Sequence, residues 1–586
     1  MRFRAWLTLV CVLAIPALAI ADHVPPVPPG PPVPGVPLDA PLTETGDVRL
    51  IDTVQSIGRA GVAAPFGENG TFERSGKAYL AVSNTTYGFA VLDATDPLHP
   101  VVVSEYAASG GCPDALADAA AANSLGPLDA VQGFENDLSI TPDGMIAVLG
   151  MDAGGRCHDP IEGGLELVDL SDLANPRTLH ITRNVGMAHS VTIDPSRPWL
   201  AYLSTSDRND FMDIVDFRSC LGGIAEMDAC KPEIARAVFD ARFWPQIAVK
   251  DGPDPVQFGC HDVRFRADRA YCAAIDTTLI LDTSKVVGAD GRLTGTKLTD
   301  ADMCPTRDAP RAPGVKMTDC MLWTNAQFEA LKAVPVDMRL VSWIQHDGSK
   351  PAAQDIEIAH QAEVIGDGTT MLITDERGGG LDNRAGCPGG GIWFYDIRDE
   401  TKPRLMRHDD GGLGVFITAV NPPGPLAASS SCTVHYGQEF ADENLLTFAW
   451  YNAGTRVVRY TLDLMTSPAT ISFEEVAATL PAGTMAIQAF GALRNPEDAS
   501  ELVVYVTDAV RGIDVLGVKV ARTTRAEAFV TSRQPAPAKP LPKPATTVRG
   551  ARSALPATGV GSPALLGLVL IVAAVTGSTA LRRKPR

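Results

Sequence analysis

The feature of this chain that most constrains its fold is a pair of short strand-like segments that recurs seven times. In each unit an apolar segment ends at a polar turn, and a second apolar segment, usually opened by glycine and closed by an acid, follows it. Such a pair forms a small antiparallel sheet that cannot bury both faces alone. Stacking seven sheets around one axis buries those faces and limits free strand edges. The repeat therefore predicts an all-β fold, a seven-bladed β-propeller, over residues 46–525.

The seven units keep this pattern with local variation. They cover residues 78–97, 145–176, 199–216, 269–282, 371–403, 445–460 and 502–516. The third and fourth units are followed by insertions, residues 219–255 and 286–355. Residues 48–54 precede the first unit, and we expect them to pair with the last blade and close the ring. The alternative is a row of β-sandwiches, whose strands would not carry one motif seven times.

The glycine-to-acid segments, followed by turns such as Asp96-Pro97 and Asn175-Pro176, resemble the LVIVD-repeat family of secreted β-propellers. The resemblance covers most of residues 46–525 and implies the propeller fold. It implies no particular reaction, because that family is mostly characterised by its architecture. The sixth unit departs from the family pattern, since Tyr460 stands where the family has an acid.

Four histidines are the candidate functional residues, because each precedes the first strand of its unit by a similar distance. They are His189, His261, His360 and His435. On the innermost strands of four successive blades, their imidazoles are expected to converge on the central channel at one height. Asn136 and Gln488 occupy the analogous positions in neighbouring blades. Imidazole is a good ligand for iron, copper, zinc and nickel, so the pattern predicts a metal site in the channel.

Two interpretations of these histidines stay open. In one they hold a transition metal, with Glu135, Asp262 and Glu439 as carboxylates that accept their second N–H. In the other they bond to channel water and strand carbonyls, as such a histidine often does in LVIVD-type repeats. The first interpretation resembles the four-histidine iron centre of carotenoid cleavage oxygenases in arrangement, not in sequence. It implies an extracellular metalloenzyme; no separate catalytic residue is predicted.

Several units also have an acid at the end of a strand, facing the following turn. These acids are Asp152, Asp207, Asp276, Asp375 and Asp508. Aspartate at such a position commonly accepts the N–H groups of the turn. A ring of calcium or cation ligands is the alternative, although no loop has the dense alternation of acids that calcium sites show.

The first residues are typical of a secretory signal peptide. Arg2 and Arg4 precede an apolar stretch that ends at Ile20, and Ala19 and Ala21 form a small-residue cleavage site. We expect residues 1–21 to be removed on export. An uncleaved membrane anchor is the alternative, which the shortness of the apolar run disfavours.

The C-terminal residues resemble the sorting signal of sortase substrates. The motif is Leu555, Pro556, Ala557, Thr558 and Gly559. An apolar segment, residues 560–581, is long enough to span a bilayer, and the basic tail 582–586 is expected to stay on the cytoplasmic side. The resemblance implies cleavage after Thr558, with sortase and a cell-wall precursor as partners. A plain C-terminal membrane anchor is the alternative.

Two proline-rich segments flank the repeats, residues 22–45 and 526–554. Both are expected to be extended and to lack a core, and the second is expected to serve as a stalk. The chain carries a net charge of −19. So acidic a surface is a poor partner for nucleic acid or anionic lipid.

Cysteine usage agrees with export. Apart from Cys11 in the signal segment there are ten cysteines, an even number, which favours disulfides in an exported chain. The sequence does not determine the connectivity, and nearest-neighbour pairing is our prediction. The predicted pairs are Cys112–Cys157, Cys220–Cys230, Cys260–Cys272, Cys304–Cys320 and Cys387–Cys432.

These patterns favour a cell-surface propeller that presents a binding face to an extracellular protein, a glycan or a small ligand. An extracellular metalloenzyme with iron, copper or zinc in the histidine-lined channel is the alternative. A purely structural wall protein is the third hypothesis.

Overall fold

The computed structural model describes residues 43–520, apart from 55–68, 109–136, 152–163, 240–258, 299–331 and 419–430 and gaps of eight residues or fewer. The predicted segments 1–21, 526–554, 555–559, 560–581 and 582–586 lie outside the described residues, as does most of 22–45. Within the described part, no helix has the length and apolar character needed to cross a membrane.

The described strands form seven sheets, antiparallel apart from one short parallel pairing, which confirms the seven-bladed propeller. Two strands precede the first blade: β1 (Thr43–Gly46) and β2 (Val48–Val54). Blade 1 contains β3 (Gly70–Arg74), β4 (Lys77–Asn84), β5 (Gly88–Asp93) and β6 (Val101–Ala107). Blade 2 contains β7 (Leu138–Ile140), β8 (Ile146–Met151), β9 (Gly164–Asp169) and β10 (Arg177–Thr182). Blade 3 contains β11 (Ser190–Ile193), β12 (Leu200–Ser204), β13 (Phe211–Asp216) and β14 (Glu233–Val238).

The second half of the ring repeats the arrangement. Blade 4 contains β15 (Asp262–Arg266), β16 (Arg269–Ala274), β17 (Thr277–Asp282) and β18 (Arg339–Gln345). Blade 5 contains β19 (Ala359–Ile365), β20 (Thr370–Asp375), β21 (Ile392–Asp396), β22 (Arg404–Leu405) and β24 (Val415–Phe416), while β23 (Arg407–His408) pairs with blade 6. Blade 6 contains β25 (Gly437–Phe440), β26 (Leu445–Ala449), β27 (Thr455–Asp463) and β28 (Thr470–Leu480). Blade 7 contains β29 (Ala486–Arg494), β30 (Glu501–Asp508) and β31 (Gly512–Lys519). Short 3₁₀ helices lie at Arg218–Cys220, Gly223–Ala229 and Ala441–Glu443.

The N-terminal strands complete the last two blades. Strand β2 pairs with β31, with Val48 opposite Val518 and Val54 opposite Ile513, so the predicted closure of the ring is confirmed. Strand β1 adds to the outer edge of β28, where Thr43 lies opposite Leu480. The expected proline-rich segment 22–45 therefore ends earlier than its sequence suggests, because its last three residues belong to β1.

Two departures from the repeat have structural explanations. The insertions 219–255 and 286–355 contain β14 and β18, which are the outer strands of blades 3 and 4. In the sixth unit, β27 runs past Tyr460 to Asp463, whose Oδ1 accepts the N–H of Met465 at 2.9 Å. The closing acid is therefore present, three residues later than the pattern predicts.

The acid that closes the third strand of most blades fixes the turn after it. Asp93 accepts the N–H of Thr95 at 2.8 Å, and Asp282 accepts that of Ser284 at 2.9 Å. This is the Asx turn, in which a short carboxylate replaces a backbone acceptor. The turn ends each repeat and leads the chain to the outer strand.

The hydrophobic core lies between blades. Leu279 and Leu281 of blade 4 are buried against Tyr202 and Ile214 of blade 3 in one apolar cluster, and equivalent clusters join the other neighbours. The strands are apolar on both faces because each sheet is covered on both sides. Each blade is thus held by its two neighbours, and the inner strands are brought around one axis.

Three of the predicted disulfides are confirmed among the described residues. They are Cys220–Cys230, Cys260–Cys272 and Cys387–Cys432. The cysteines of the other two predicted pairs, Cys112–Cys157 and Cys304–Cys320, lie outside the described residues. The three bonds indicate an oxidising, extracellular location for the folded chain.

Candidate functional site

The innermost strands bring the four predicted histidines to equivalent positions. His189, His261 and His435 lie immediately before or close to the start of β11, β15 and β25, and His360 is the second residue of β19. The backbone N–H of His189 donates to Ser204 O at 2.8 Å, and that of His261 donates to Ala273 O at 2.6 Å. In each case the partner lies on the second strand of the same blade. The blade pairing therefore sets the height of each imidazole, as the repeat predicts.

The four imidazole rings form a continuous arc across blades 3 to 6. The ring centroids of His189 and His261 are 4.5 Å apart, those of His261 and His360 are 4.4 Å apart, and those of His360 and His435 are 4.3 Å apart. All four side chains are buried. The structure thus brings the sequence-predicted set together.

These spacings are compatible with imidazoles that share one ion, but the close group of ligand atoms contains only His261 and His360 of the four histidines, together with Glu376. A ligating nitrogen lies about 2.0–2.1 Å from a metal, which puts the ring centroid about 3.2 Å from it. Two such rings at a right angle around one ion have centroids about 4.5 Å apart. Each successive pair in the arc matches this distance.

A carboxylate that sequence reasoning did not single out lies among the rings. Glu376 is buried, with one oxygen 3.5 Å from Nε2 of His360 and the other 3.8 Å from Nε2 of His435. Both distances are too long for a good hydrogen bond. Two ligand atoms on one ion at a tetrahedral angle are about 3.4 Å apart, so the 3.5 Å spacing to His360 is compatible with shared coordination. Ligand-type atoms of His261, His360 and Glu376 all lie within 4.8 Å of one another.

Glu376 is held in place from two directions. Its backbone N–H donates to Ile358 O at 2.9 Å, and the hydroxyl of Tyr451 donates to its Oε1. Tyr451 is itself fully buried beside His435, with ring centroids 4.8 Å apart. The carboxylate is therefore oriented before any ion binds, which lowers the cost of assembling the site.

The tautomer of His435 follows from its partner. Its Nδ1 lies 2.7 Å from Ile487 O, and a carbonyl oxygen can only accept. Nδ1 therefore carries the proton, and Nε2 has a lone pair when the ring is neutral. Such a backbone-anchored imidazole is prepared to act as a ligand through its second nitrogen.

Tyr436 covers the rings from one side. Its ring centroid lies 4.4 Å from those of both His360 and His435 in edge contacts. Arg264 lies beyond, with its guanidinium carbon 5.6 Å from the centroid of Tyr436. Packing of this kind fixes the imidazole planes and keeps bulk water away from that side.

The acids predicted to accept histidine N–H groups are hydrogen-bonded to other groups, although Asp262 also interacts electrostatically with His189. Asp262 accepts Nε of Arg264 at 3.0 Å, and Glu439 accepts the N–H of Gly366 at 2.8 Å and the hydroxyl of Tyr460. Glu135 lies outside the described residues. The carboxylate among the histidines is Glu376 instead.

Burial perturbs the pKa of three carboxyl groups close in sequence or in space to the histidines. Desolvation raises the pKa of Glu363 to about 7, because Arg264 compensates only part of its loss of water. Burial likewise raises the pKa of Asp375 to about 7 and raises that of Asp262.

Of the strand-end acids that are described, one accepts an N–H group of the following turn and two bond to other partners. Asp375 accepts the N–H groups of Glu357 and Ile358, each at 3.1 Å, and Asp508 accepts that of Arg511 at 3.0 Å. Asp276 bonds the hydroxyl of Thr277 at 3.1 Å. Asp152 and Asp207 lie outside the described residues. The turn interpretation is thus supported for Asp508.

On the far side of the ring, the analogous positions carry amides. Oε1 of Gln488, from blade 7, accepts the backbone N–H of Asn69 at 2.6 Å and its side-chain amide at 2.8 Å. Asn136, the other predicted position, lies outside the described residues. Asn69 was not predicted, because it precedes the first repeat unit.

Comparison with known proteins finds distant structural neighbours. No protein-family model and no curated protein matches the chain. The β-propeller domain of Cps50 (Swd1) from Myceliophteria thermophila is 9% identical, with a TM-score of 0.39, covering 79% of this chain and 98% of that one. The periplasmic gluconolactonase PpgL of Pseudomonas aeruginosa is 11% identical, with a TM-score of 0.37, covering 78% of this chain and 99% of that one. Sqt1 of Saccharomyces cerevisiae is 6% identical, with a TM-score of 0.40, covering 81% of this chain and all of that one. These likenesses concern chain path and carry no functional argument for this chain.

Proposed function

We propose that this chain is an exported, wall-anchored propeller that binds one divalent transition-metal ion in its channel. His261, His360 and Glu376 are the core ligands, and His435 and His189 complete the set. The observation that carries the proposal is the placement of three buried ligand-type atoms within 4.8 Å of one another.

The donor chemistry limits the metal. Imidazole with a single carboxylate suits iron, copper and zinc. The described cysteines are joined in disulfides, so that part of the chain has no free thiolate to serve as a ligand. Calcium and magnesium, which prefer all-oxygen sites, are poor candidates.

The surface location is proposed from the ends of the chain. Residues 1–21 have the character of a signal peptide, and 555–559 with 560–586 have that of a sortase sorting signal. The LVIVD-like repeats and the disulfides agree with export. On this proposal the wall-anchored propeller exposes a metal-bearing channel that binds a small extracellular ligand. It does not use a blade face to bind a protein or a glycan.

Metal analysis of the full chain tests the proposal. After chelation and incubation with Zn²⁺, the protein is expected to retain about one ion per chain, as a single mononuclear site requires. The double variant His261→Ala/His360→Ala is expected to lose at least roughly tenfold in affinity. A double variant that removes two imidazoles elsewhere, His99→Ala/His408→Ala, is expected to bind as the unchanged chain does.

Because the two histidines are buried, a second variant separates loss of ligand from loss of fold. Glu376→Gln keeps the shape of the side chain and removes its charge. Its matched control is Glu166→Gln, since Glu166 is also buried and also accepts a tyrosine hydroxyl, that of Tyr106 at 2.5 Å. Weaker binding in Glu376→Gln alone supports the site. Equal zinc content in all the variants, or none in the unchanged chain, rejects it.

A further inference from the structure

We infer that Tyr451 determines how Glu376 binds the ion: its hydrogen bond occupies Oε1 and leaves Oε2 as the single oxygen that coordinates. Tyr451 is then a positioning residue that sets metal specificity, favouring an ion of low coordination number, such as zinc, over manganese. The inference rests on the proposed function, because it concerns the same ion and the same carboxylate.

Tyr451 and Glu376 occupy equivalent places in adjacent blades. Tyr451 follows β26 of blade 6 and Glu376 follows β20 of blade 5, each within two residues of the end of the strand. Ile275 holds the corresponding place after β16 of blade 4. Ile275 pairs with Ala359, the first residue of β19. Tyr451 pairs in the same way with Ala486, the first residue of β29, so these places lie at one level of the ring, at the ends of the inner strands.

The two neighbours of Glu376 at this level differ in chemistry. Ile275 has a hydrocarbon side chain, whereas the hydroxyl of Tyr451 donates to Oε1 of Glu376. Both residues have a left-handed backbone, with φ of 60° for Ile275 and 40° for Tyr451, which is rare for bulky side chains. The two turns thus share a backbone feature, and the side chain makes the difference. The hydrogen bond therefore reaches Glu376 from the side of blade 6.

The two oxygens of Glu376 have different surroundings as a result. Oε1 accepts the hydroxyl of Tyr451 and lies 3.8 Å from Nε2 of His435. Oε2 lies 3.5 Å from Nε2 of His360, a member of the close group of ligand atoms. A hydrogen bond to a charged carboxylate is strong and draws charge from the oxygen that accepts it. Oε2 is therefore the better donor to an ion that His261 and His360 share.

The number of oxygens that a carboxylate gives affects which ion it prefers. Calcium and manganese favour about six or more oxygen ligands, and calcium often takes both oxygens of one carboxylate. Zinc is usually four-coordinate and binds nitrogen as readily as oxygen. A glutamate restricted to one oxygen, beside two imidazoles, therefore favours zinc over manganese.

Tyr451 is held firmly enough to impose this restriction. Its side chain is fully buried, with the ring centroid 4.8 Å from that of His435. Its carbonyl oxygen accepts the N–H of Ala486 at 3.1 Å and that of Gly454 at 3.0 Å. Phenylalanine at this position keeps the ring and these backbone bonds, so Tyr451→Phe removes the hydroxyl alone.

Metal binding by full-length Tyr451→Phe tests the inference, with Zn²⁺, Mn²⁺ and Co²⁺ as probes. Zinc affinity is expected to fall roughly tenfold, as it does when the partner of a ligand is removed. Manganese affinity is expected to stay equal or to rise. The visible absorption of the cobalt form is expected to weaken, because Glu376 then binds through both oxygens and cobalt of higher coordination number absorbs less strongly.

The matched control is Tyr106→Phe, which removes the hydroxyl that Glu166 accepts. It is expected to equal the unchanged chain in all three measurements.

The outcomes separate this inference from the proposed function. If Tyr451→Phe binds zinc as the unchanged chain does and gives the same cobalt spectrum, the inference alone is overturned. Lower zinc affinity with an unchanged cobalt spectrum, or an equal loss in Tyr106→Phe, assigns the hydroxyl a purely structural role and also overturns it. An unchanged chain that binds none of the three metals overturns both.

Discussion

At the residue scale, the molecule contains two buried glutamates in nearly the same local setting. Glu166 and Glu376 each accept the hydroxyl of a tyrosine from a neighbouring blade. Glu166 is also bonded to Thr178 at 3.0 Å, which makes it part of a hydrogen-bond network. Glu376 faces His360 and His435 at distances longer than hydrogen bonds. The same residue type thus has a structural role in one blade and, on our proposal, is a metal ligand in another.

Another buried histidine, outside the channel, makes a prediction about pH. Nε2 of His346 is hydrogen-bonded to the hydroxyl of Thr278 at 2.9 Å. Burial lowers the pKa of His346 to about 4. Asp355, with an oxygen 3.8 Å from Nδ1, offsets only part of that effect. Between pH 6.5 and 4 the unfolded chain binds a proton that the folded chain does not, so folding stability falls as the pH falls.

The free energy of unfolding is expected to fall by about 3 kcal/mol because of His346. The loss is complete near pH 4 and absent above about pH 7. Urea unfolding of metal-free protein at several pH values measures it. His346→Gln, which keeps a polar group near Thr278, is expected to lose stability at neutral pH but to show a flatter profile between pH 6.5 and 4. An unchanged slope in this variant would show that other groups cause the acid sensitivity.

At the element scale, disulfides brace the strands that carry the site. Cys260 directly precedes His261, and its bond to Cys272 joins the start of β15 to β16. Cys432 lies three residues before His435, and the next residue, Thr433, donates its hydroxyl to Asp375 O at 2.7 Å, beside Glu376. Two covalent links therefore restrain the backbone on both sides of the proposed ligands.

Removing the first link is expected to weaken metal binding. Cys260→Ser/Cys272→Ser should cost about 2–4 kcal/mol of stability and reduce zinc affinity on the order of tenfold, because His261 gains freedom. The matched control is Cys220→Ser/Cys230→Ser, which opens a similar loop (separation 10 residues against 12) away from the channel. Denaturation and zinc competition measure the two effects. Equal affinity loss in both variants would assign the effect to general stability.

Much of this element-scale arrangement is predictable from the sequence, and some is not. The repeat predicts the blades. His189, His261, His360 and His435 each precede the first strand of their unit by a similar distance, which predicts that their side chains lie close together, because equivalent residues of different blades lie at the same level along the propeller axis. Glu376 was missed because it stands beside Asp375, whose position marks it as a turn acceptor. The sequence feature that could have identified Glu376 is the pair of consecutive acids at the end of that strand. Tyr451 was missed because a tyrosine after an apolar strand looks like core.

At the scale of the whole molecule, a near-symmetric ring carries a one-sided site. Seven similar blades supply seven positions on the inner strands. Four consecutive positions carry imidazoles, and the remaining positions that are described carry amides or a hydrogen-bonded carboxylate. The N-terminal strands β1 and β2 complete blades 6 and 7, so the ring is closed by residues distant in sequence. The outer strands inside 219–255 and 286–355 escaped prediction because they lie far along the chain from their repeat units.

The most direct test of the central claim is an anomalous difference map from crystals of the full chain grown with Zn²⁺. The account predicts one peak in the channel, within about 2.0–2.2 Å of a nitrogen of His261, a nitrogen of His360 and an oxygen of Glu376. An empty channel in zinc-bearing crystals, or a peak confined to surface acids such as Asp347, would contradict it.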